Sequence, residues 1–413
     1  MVIHRWRDSY ALYANYIDHR SASVTYITTS LGRHSVPPGA AAIELVGSTE
    51  DSAAVRQAGL SLISRFGHPH HIVALNEGDL DLASVLRAEL GCPGLHPADM
   101  ARFRDKLTMI QLVSAAGLRS PAFADAPDPE AVARFADEHG WPVIVKPRRG
   151  TASRGVLRLD SGADLSTLRK LPSEPRLVEE FCLGDIYHAD GLWAGTRLGP
   201  WRLSRYLNTC MGFTSGDVLG SVEVDDSALI AALEPFVASV VEVLSKDPWV
   251  FHLEVFVDSG PDGSVRATFL EVGHRVGGAE IPFIWREVHG VDLMAAAMAV
   301  ALGWQPDIGA CRDDRVGGWL LVPTPVAPPC RVTRVELPSA TGQGPYAYTI
   351  PAVGDVVPNT GGYEHVGARF RFQGDSSREV ESAIISTASQ TCLSCVPASA
   401  TGLVKDRIHE TLS

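Results

Sequence analysis

Residues 251–257 read FHLEVFV and residues 268–280 read TFLEVGHRVGGAE, and these two stretches are the most informative part of the chain. Residues 251–257 and 268–272 are apolar runs that each contain one acidic residue, Glu254 in the first and Glu271 in the second. The segment 258–264 between them holds glycine, proline and aspartate, which predicts the turn of a β-hairpin. An ionised glutamate inside an apolar strand costs free energy unless it is paired or binds a cation.

Two such carboxylates on adjacent strands form a hard oxygen site that suits Mg²⁺, with water and phosphate as the remaining ligands. A symmetric hairpin would leave Glu254 and Glu271 staggered, so this hypothesis requires a β-bulge or an uneven turn. The alternative is that both side chains point into solvent.

The residues that follow Glu271 carry a cation and a flexible backbone. Arg275 leaves the strand end beside the predicted metal site, and a guanidinium there stabilises an oxyanion or an acyl phosphate. Gly277 and Gly278 allow backbone N–H groups to approach an anion closely. Taken alone, this run is also typical of an ordinary loop.

A second group of candidate residues lies upstream. Lys146 ends an apolar strand predicted over residues 143–146, and the loop 148–155 that follows reads RRGTASRG. Together with Lys106, such a loop can close over a polyphosphate through backbone N–H groups and cations. A solvated surface turn is the alternative.

The segment LVEEF, residues 177–181, places Glu179 and Glu180 at the end of another apolar strand. A carboxylate that points inward from this position could accept hydrogen bonds from the edge of an adenine. The alternative is a solvated acidic pair.

Composition restricts the classes of partner. The chain has 413 residues, 45% of them apolar and 20% charged, which predicts a globular protein of several packed subdomains. A net charge of −12 disfavours nucleic acid and anionic membranes as partners.

Seven cysteines, an odd number, indicate reduced thiols and a cytoplasmic location. The CxxC at Cys392 and Cys395 is interpreted as a pair of ordinary thiols. Residues 1–10 lack the apolar core of a signal peptide, and the apolar run 293–304 is too short to cross a bilayer.

The pattern along the chain predicts several units. Alternating strands and helices over residues 1–97 predict a small doubly wound α/β unit. Residues 97–117 are predicted as helical, and residues 128–139 as a further helix. From about residue 311, β-branched residues and prolines and then a helix over 377–388 predict a small α+β appendage.

The order of these signals is more specific than any one of them. Two lysines, a flexible loop, a Glu–Glu pair, an isolated glutamate and then Glu–x–Gly–x–Arg–x–Gly–Gly follow one another between about residues 70 and 305. In this order the chain resembles the ATP-grasp superfamily, and within it the carboxylate–amine ligases that include the L-amino-acid ligases (dipeptide synthetases).

The resemblance implies a multidomain protein of α/β and α+β class with the ATP-grasp fold. Residues 1–97 correspond to the pre-ATP-grasp domain, with Asn76 and Glu77 where the family has similar residues. Residues 98–175 correspond to the small lid subdomain and residues 176–310 to the large subdomain with the metal and substrate site. Residues 311–413 remain as the C-terminal α+β appendage.

The resemblance also implies roles for individual residues. Lys106, Lys146, Ser153 and Gly155 would bind the phosphates of ATP; Glu179, Glu180 and Phe181 would form the adenine hinge; Glu254 and Glu271 would bind Mg²⁺; Arg275 would stabilise the acyl phosphate; and His274, Gly277 and Gly278 would contact the substrate. Residues 206–220 and 281–285 would line the substrate pocket.

There are two departures from the family pattern. Ile186 stands where many members have a ribose-binding glutamate, which leaves Asp185 or Asp190 as the substitute, and Gly273 stands where many have asparagine.

The implied activity is the ATP-dependent joining of a carboxylate to an amine through an acyl phosphate, with release of ADP and phosphate. The substrates would be small molecules, an amino acid or peptide among them, and Mn²⁺ could replace Mg²⁺. A homodimer is a further expectation. Two alternatives stay open: an ATP-grasp ligase of the carboxylase or purine-pathway type, and a non-catalytic nucleotide-binding protein.

Overall fold

The structure, a computed structural model, describes residues 1–6, 9–260, 262–306, 309–337, 344–358 and 366–398. Position 261 of the predicted hairpin turn and several positions of the predicted C-terminal appendage lie outside these ranges. The described strands form four sheets.

The N-terminal unit alternates strands and helices, as predicted. Its elements are β1 (Val2–His4), α1 (Tyr13–Tyr16), β2 (Thr25–Thr28), a short 3₁₀ helix (Gly32–Ser35), β3 (Ala42–Leu45), α2 (Ser52–Phe66), β4 (Val73–Ala74) and α3 (Glu77–Leu90). The strands form a parallel sheet in the order β3–β2–β1–β4. Asn76 caps α3 by accepting the N–H of Gly78, so Glu77 is the first residue of this helix.

The next unit contains a small antiparallel sheet, called the lid sheet here. Its elements are α4 (Pro97–Arg104), α5 (Lys106–Ala115), β5 (Phe123–Asp125), α6 (Pro129–His139), β6 (Val143–Pro147), β7 (Leu157–Leu159), a short 3₁₀ helix (Gly162–Asp164), α7 (Leu165–Leu168) and β8 (Arg176–Glu180). The strand order of the lid sheet is β5–β8–β6–β7.

The prediction of helical structure over residues 97–117 is confirmed, but the segment forms two helices, because the chain breaks at Asp105. This residue has extended backbone angles (φ −97°, ψ 105°), and its carboxylate accepts the N–H groups of Leu107 and Thr108. An aspartate that caps a new helix competes with continuation of the preceding one. As a result, Lys106 is the first residue of α5.

The largest sheet has eight strands. The elements from residue 185 onward are β9 (Asp185–Trp193), β10 (Leu198–Tyr206), α8 (Cys210–Thr214), β11 (Leu219–Glu223), α9 (Ser227–Leu244), β12 (Trp249–Ser259), β13 (Val265–Gly273), α10 (Ile281–Glu287), α11 (Leu293–Ala301), β14 (Val316–Val322), β15 (Cys330–Glu336), β16 (Ala347–Thr349), β17 (Val356–Val357), β18 (Ala368–Gly374), α12 (Ser377–Gln390) and β19 (Cys392–Pro397). The order in the large sheet is β13–β12–β9–β10–β11–β14–β18–β16.

The C-terminal segment shares the large sheet with the segment before it. Strand β14 pairs with β11, and β18 pairs with β14. The other C-terminal strands form a three-stranded sheet in the order β17–β15–β19. The boundaries proposed for the four domains stay a prediction.

Helix α9 is long and apolar enough, by length and composition, to cross a membrane. One face of it, with Leu233, Val237, Val240 and Val241, is buried in the same core as Trp249 and Phe251 of β12. An apolar helix packed on a sheet satisfies the same criteria of length and composition.

The hairpin β12–β13 contains the irregularity that the metal hypothesis required. Near the turn, Val255 lies opposite Phe269 in a regular ladder, whereas Glu254 lies opposite Glu271. Leu270 is therefore the extra residue of a β-bulge. The bulge moves Glu271 by one position, so that the two glutamates face each other across the hairpin.

Candidate active site

A cleft of about 360 Å³, called the main cleft here, lies between the lid sheet and the β12–β13 hairpin. Among the predicted site residues, those that line it are Lys106, Lys146, Ser153, Glu179, Glu180, Phe181, Glu254 and Glu271. Ile144, Ile186 and Phe256 add apolar surface to the lining. A cleft with apolar walls and a few convergent charges suits a ligand that is aromatic at one end and anionic at the other.

The two glutamates of the hairpin each have a polar neighbour in the cleft. Glu271 Oε2 lies 3.1 Å from Lys106 Nζ. Glu254 Oε1 accepts a hydrogen bond of 2.8 Å from the hydroxyl of Tyr206, and His252 Nε2 lies 3.4 Å from the same oxygen. Burial opposes the charge of Glu254, but the contacts with His252 and Tyr206 outweigh it and lower the pKa of this carboxyl. Glu254 is therefore available as a carboxylate.

Lys146 and Glu179 form a buried ion pair at the end of the lid sheet. Lys146 Nζ lies 2.8 Å from Glu179 Oε2, and both side chains are about 5% exposed or less. Burial disfavours the ammonium, but the charges of Glu179 and Glu271 outweigh it and raise the pKa of Lys146. Glu180 points outward, and its carboxylate accepts the N–H of Ala122 at 3.3 Å. The inward carboxylate of the predicted pair is therefore Glu179, and it already holds a cation.

The loop over residues 148–155 has an unusual backbone. Ala152 (φ 55°), Ser153 (φ 54°) and Gly155 (φ 73°) all lie in the left-handed region, and such turns form concavities whose N–H groups bind anions. Lys106 anchors the loop twice, because its backbone N–H donates to Arg148 O at 2.8 Å and its Nζ donates to Gly150 O at 3.1 Å. This backbone strain is typical of a functional loop.

Arg275 lines a smaller cavity of about 120 Å³, together with Gly277 and Gly278. Its Nε donates to Glu77 Oε2 at 2.6 Å, and Arg104 binds the other oxygen of the same carboxylate. Burial opposes the charge of Glu77, but Arg275 and Arg104 outweigh it and lower its pKa to about 2. The cavity borders the loop 148–155 through Thr151 and Arg154, which also line the main cleft.

Three predicted site residues lie elsewhere. The ring of His274 stacks on Trp249, with centroids 5.4 Å apart and an angle of 11°, and it meets Phe103 edge-on at 4.7 Å. Burial lowers the pKa of His274 to about 4, and the residue borders a separate cavity of about 520 Å³. Asp185 is exposed at the start of β9, and Gly155 packs against Pro147; neither is among the residues that line the main cleft.

The structure adds two histidines to which the sequence assigned no role, and it places Asp190, the other candidate for the ribose contact, beside them and not in the lining of the main cleft. His188 and Asp190 of β9 and His252 of β12 are buried, and Asp190 accepts hydrogen bonds from the Nδ1 atoms of both histidines, at 2.6 and 2.9 Å. Burial opposes the charge of His252, but Asp190 outweighs it and raises the pKa of His252 to about 9. The sequence contained part of the information needed to find this cluster, since strand alternation places His252 on the same face as Glu254.

The residues present fit a divalent cation and a nucleoside polyphosphate. Glu254 and Glu271 supply opposed carboxylates, which are the ligands that Mg²⁺ prefers, and Lys106 shows that a cation is stable beside Glu271. The cations Lys106, Lys146 and Arg154 border the same cleft, as does the loop 148–155. These are the groups that would neutralise phosphate oxygens.

No family model matches the chain. Among curated relatives, the L-arginine-specific L-amino acid ligase of Bacillus subtilis is 20% identical over 279 residues, which cover 63% of this chain and 64% of that protein. The mitochondrial arginine-specific large chain of carbamoyl phosphate synthase from Neurospora crassa is 23% identical over 219 residues, which cover 51% of this chain and 18% of that protein. The chain thus spans less than two thirds of the length of either relative.

Two solved structures superpose on almost the whole chain. The L-amino acid ligase from Bacillus licheniformis gives a TM-score of 0.71 at 18% identity, over 96% of this chain and 98% of that one. The second structure is the biotin carboxylase domain of 2-oxoglutarate carboxylase from Hydrogenobacter thermophilus, in complex with MgADP, ADP and bicarbonate. It gives a TM-score of 0.68 at 15% identity, over 96% of this chain and 91% of that one. The chain is therefore a protein of the ATP-grasp fold, similar in sequence and structure to the carboxylate–amine ligases of that superfamily.

Proposed function

We propose that this protein is an ATP-dependent carboxylate–amine ligase that forms an amide or peptide bond through an acyl phosphate, with an amino acid or peptide as substrate. The observation that carries the proposal is the bulged hairpin. It sets Glu254 opposite Glu271 in a cleft that Lys106, Lys146 and the loop 148–155 also line. Mg²⁺ bound there would neutralise charge on the phosphates of ATP.

The residues of the chain would act by position and charge. Lys106, Lys146 and the N–H groups of the loop would hold the phosphates in line with the attacking carboxylate. Arg275 would stabilise the charge that develops as the acyl phosphate forms and as the amine then attacks the acyl carbon with loss of phosphate. Closure of the loop would keep water away from the acyl phosphate.

The small cavity beside Arg275 supports a substrate site next to the ATP site. Its lining includes Arg275, Gly277 and Gly278, and also the apolar groups of Trp6, Tyr10 and Met294. An amino acid would place its carboxylate near the guanidinium and its side chain against the apolar groups. The names of the similar ligases support the same substrate class.

The test is a screen of the purified protein with ATP, Mg²⁺ and pairs of amino acids, with phosphate release as the signal and products identified by mass. We expect ADP, phosphate and a dipeptide in equal amounts. Glu271→Gln and Arg275→Ala should abolish ADP formation while the protein stays folded by circular dichroism. Near-normal turnover in either variant would refute the assignment.

Two further arms of the screen address the alternatives. ADP release that depends on bicarbonate, biotin or a purine precursor would assign a ligase of another substrate class. ATP binding without hydrolysis across the whole panel would indicate a nucleotide-binding protein without activity. Size-exclusion chromatography with light scattering would test the predicted homodimer.

A further inference from the structure

A line of buried polar side chains leads across the large sheet to Glu254. His188 and Asp190 alternate along β9, and His252 and Glu254 alternate along the neighbouring β12. In the antiparallel register, Glu254 lies opposite His188 and His252 lies opposite Asp190, so all four side chains share one face. The relative exposures of His188, Asp190 and His252 are 1%, 2% and 6%.

Asp190 orients both imidazole rings. A carboxylate can only accept hydrogen bonds, so the Nδ1 atoms of His188 and His252 both donate to it, at 2.6 and 2.9 Å. Each ring then presents its Nε2 on the side away from Asp190. For His188 this atom meets the hydroxyl of Ser221 at 2.7 Å, and for His252 it lies 3.4 Å from Glu254 Oε1.

The contacts on Glu254 are asymmetric. His252 Nε2 and the hydroxyl of Tyr206 both approach Oε1. A carboxylate held by one oxygen keeps the other, here Oε2, for a metal ion. Partners of this kind, which hold a ligating carboxylate without touching the metal, fix its orientation and its affinity for the ion.

Gly277 packs against the same network. A Cβ at this position would lie 2.4 Å from Asp190 Oδ1 and 3.0 Å from His252 Nδ1. Because those atoms are held in a buried hydrogen bond, a side chain at residue 277 would separate them. The glycine-rich segment after Arg275 is therefore in contact with the residues that hold Glu254.

We propose that Asp190 and His252 are positioning residues, which together with Tyr206 hold Glu254 in the orientation that binds the metal ion. The inference rests on the proposed function, because it takes Glu254 as a metal ligand. It goes beyond that function by assigning a role to residues that do not line the main cleft.

His188, Asp190 and His252 also offer ligand atoms that lie within 4.8 Å of one another, as in a site for a transition metal. The hydrogen bonds favour the positioning role, since both Nδ1 atoms point at Asp190 rather than at a shared ion. The neighbouring cavity, which His188 and Asp190 line, has only about 10 Å³, the least that a single water needs.

The experiment is a titration of the full chain with Mn²⁺, with and without one equivalent of ADP, in which free Mn²⁺ is followed by electron paramagnetic resonance. We expect Asp190→Asn to weaken Mn²⁺ binding by about 10-fold or more, the usual effect of losing such a partner. Tyr206→Phe, which removes a single hydroxyl, should weaken it by about 3- to 10-fold on the same basis. ADP affinity measured in EDTA should stay within about twofold of the unsubstituted protein in both variants, since neither residue lines the main cleft.

Two comparisons separate positioning from general loss of structure. Ser221→Ala, at the end of the network remote from Glu254, is the matched control and should change Mn²⁺ affinity by less than about threefold. His252→Gln, which keeps an N–H donor near Glu254, should retain more Mn²⁺ affinity than His252→Leu. Unchanged Mn²⁺ binding in both Asp190→Asn and Tyr206→Phe would overturn the inference.

Glu254→Gln separates this inference from the proposed function. If Glu254→Gln binds Mn²⁺ like the unsubstituted protein, the metal site itself is wrong and the proposed function fails with it. If Glu254→Gln loses Mn²⁺ but Asp190→Asn does not, only the positioning role fails. A stoichiometric transition metal in the purified protein, lost in Asp190→Asn, would replace the positioning role by a metal site.

Discussion

At the scale of single residues, the structure and the family resemblance lead to different expectations for His274. The resemblance places it in the substrate site, whereas in the structure its ring packs between Trp249 and Phe103. The imidazole is neutral there, because burial lowers its pKa to about 4. A neutral ring stacked on a buried indole is typical of packing.

We expect His274→Ala to lower the free energy of unfolding by about 2 kcal/mol, the low end of the cost of truncating a large core side chain, because the ring is only half-buried. Its effect on the KM of either substrate should be small. Denaturant unfolding gives the free energy of unfolding, and steady-state kinetics on the same preparation give the KM values. A KM raised more than about 10-fold at unchanged stability would restore the substrate-binding role.

At the scale of elements, the loop 148–155, which we propose binds phosphate, depends on backbone angles that few residues adopt. Gly155 has φ 73°, and a Cβ there would lie 2.9 Å from Pro147 Cγ. The loop is anchored at Lys106, and Arg148 binds Asp105 through two hydrogen bonds of 2.9 and 2.6 Å. A change at Gly155 should therefore alter the loop without releasing its anchors.

Gly155→Ala should raise the KM for ATP by about 10-fold, because the loop would lose the conformation that presents its N–H groups to phosphate. Gly117→Ala is the matched control. Gly117 has φ 77°, and a Cβ there would meet no atom within 4 Å, so this position carries the same backbone strain away from the cleft. We expect the control to lower Tm with an unchanged KM for ATP, and equal KM values in the two variants would contradict the role of the loop.

At the scale of the whole molecule, Glu77 joins three units. It begins α3 of the N-terminal unit, and its carboxylate binds Arg104 at the end of α4 and Arg275 after β13. The two guanidiniums lower its pKa to about 2, although burial acts in the opposite direction. A depressed pKa in the folded state contributes stability above the ordinary pKa of glutamate, and this contribution is lost as the pH falls toward 2.

The stability of the unsubstituted protein should exceed that of Glu77→Gln at pH 7, and the difference should shrink by about 3 kcal/mol between pH 5 and pH 2, from the size of the pKa shift. Denaturant unfolding of both proteins at several pH values measures this difference in the free energy of unfolding. Glu89→Gln is the control, since Glu89 pairs with Arg56 on the surface, where an ion pair contributes little. A difference for Glu77→Gln that does not depend on pH would show that the pair with Arg275 does not stabilise the fold.

Local patterns in the sequence were sufficient to predict many of the strands and helices of this protein. Strand and helix alternation predicted the doubly wound N-terminal unit, and apolar runs around a turn predicted the β12–β13 hairpin. The ATP-grasp fold was implied by the family resemblance that the order of charged residues carries, and it is confirmed by the structural neighbours. Such signals are readable because periodicity and turn chemistry act over a few residues.

The contacts between elements were decided only by the tertiary structure. Arg275 reaches Glu77 across 198 positions of sequence, and His252 meets Asp190 because β9 and β12 are neighbours in the large sheet. His274 precedes Arg275 in the chain but stacks on Trp249 and meets Phe103, whereas Arg275 binds Glu77. No short-range pattern encodes such contacts, since they depend on which elements pack together.

The β12–β13 hairpin illustrates the difference between what local sequence specifies and what packing specifies. The residue pattern alone showed that two glutamates interrupt two apolar strands and that an ordinary register would keep them apart. Only the folded structure decided that the extra residue is Leu270 and that the carboxylates meet. The physical reason is that the register of a hairpin depends on packing on both faces of the strands, whereas the identity and spacing of its residues are local.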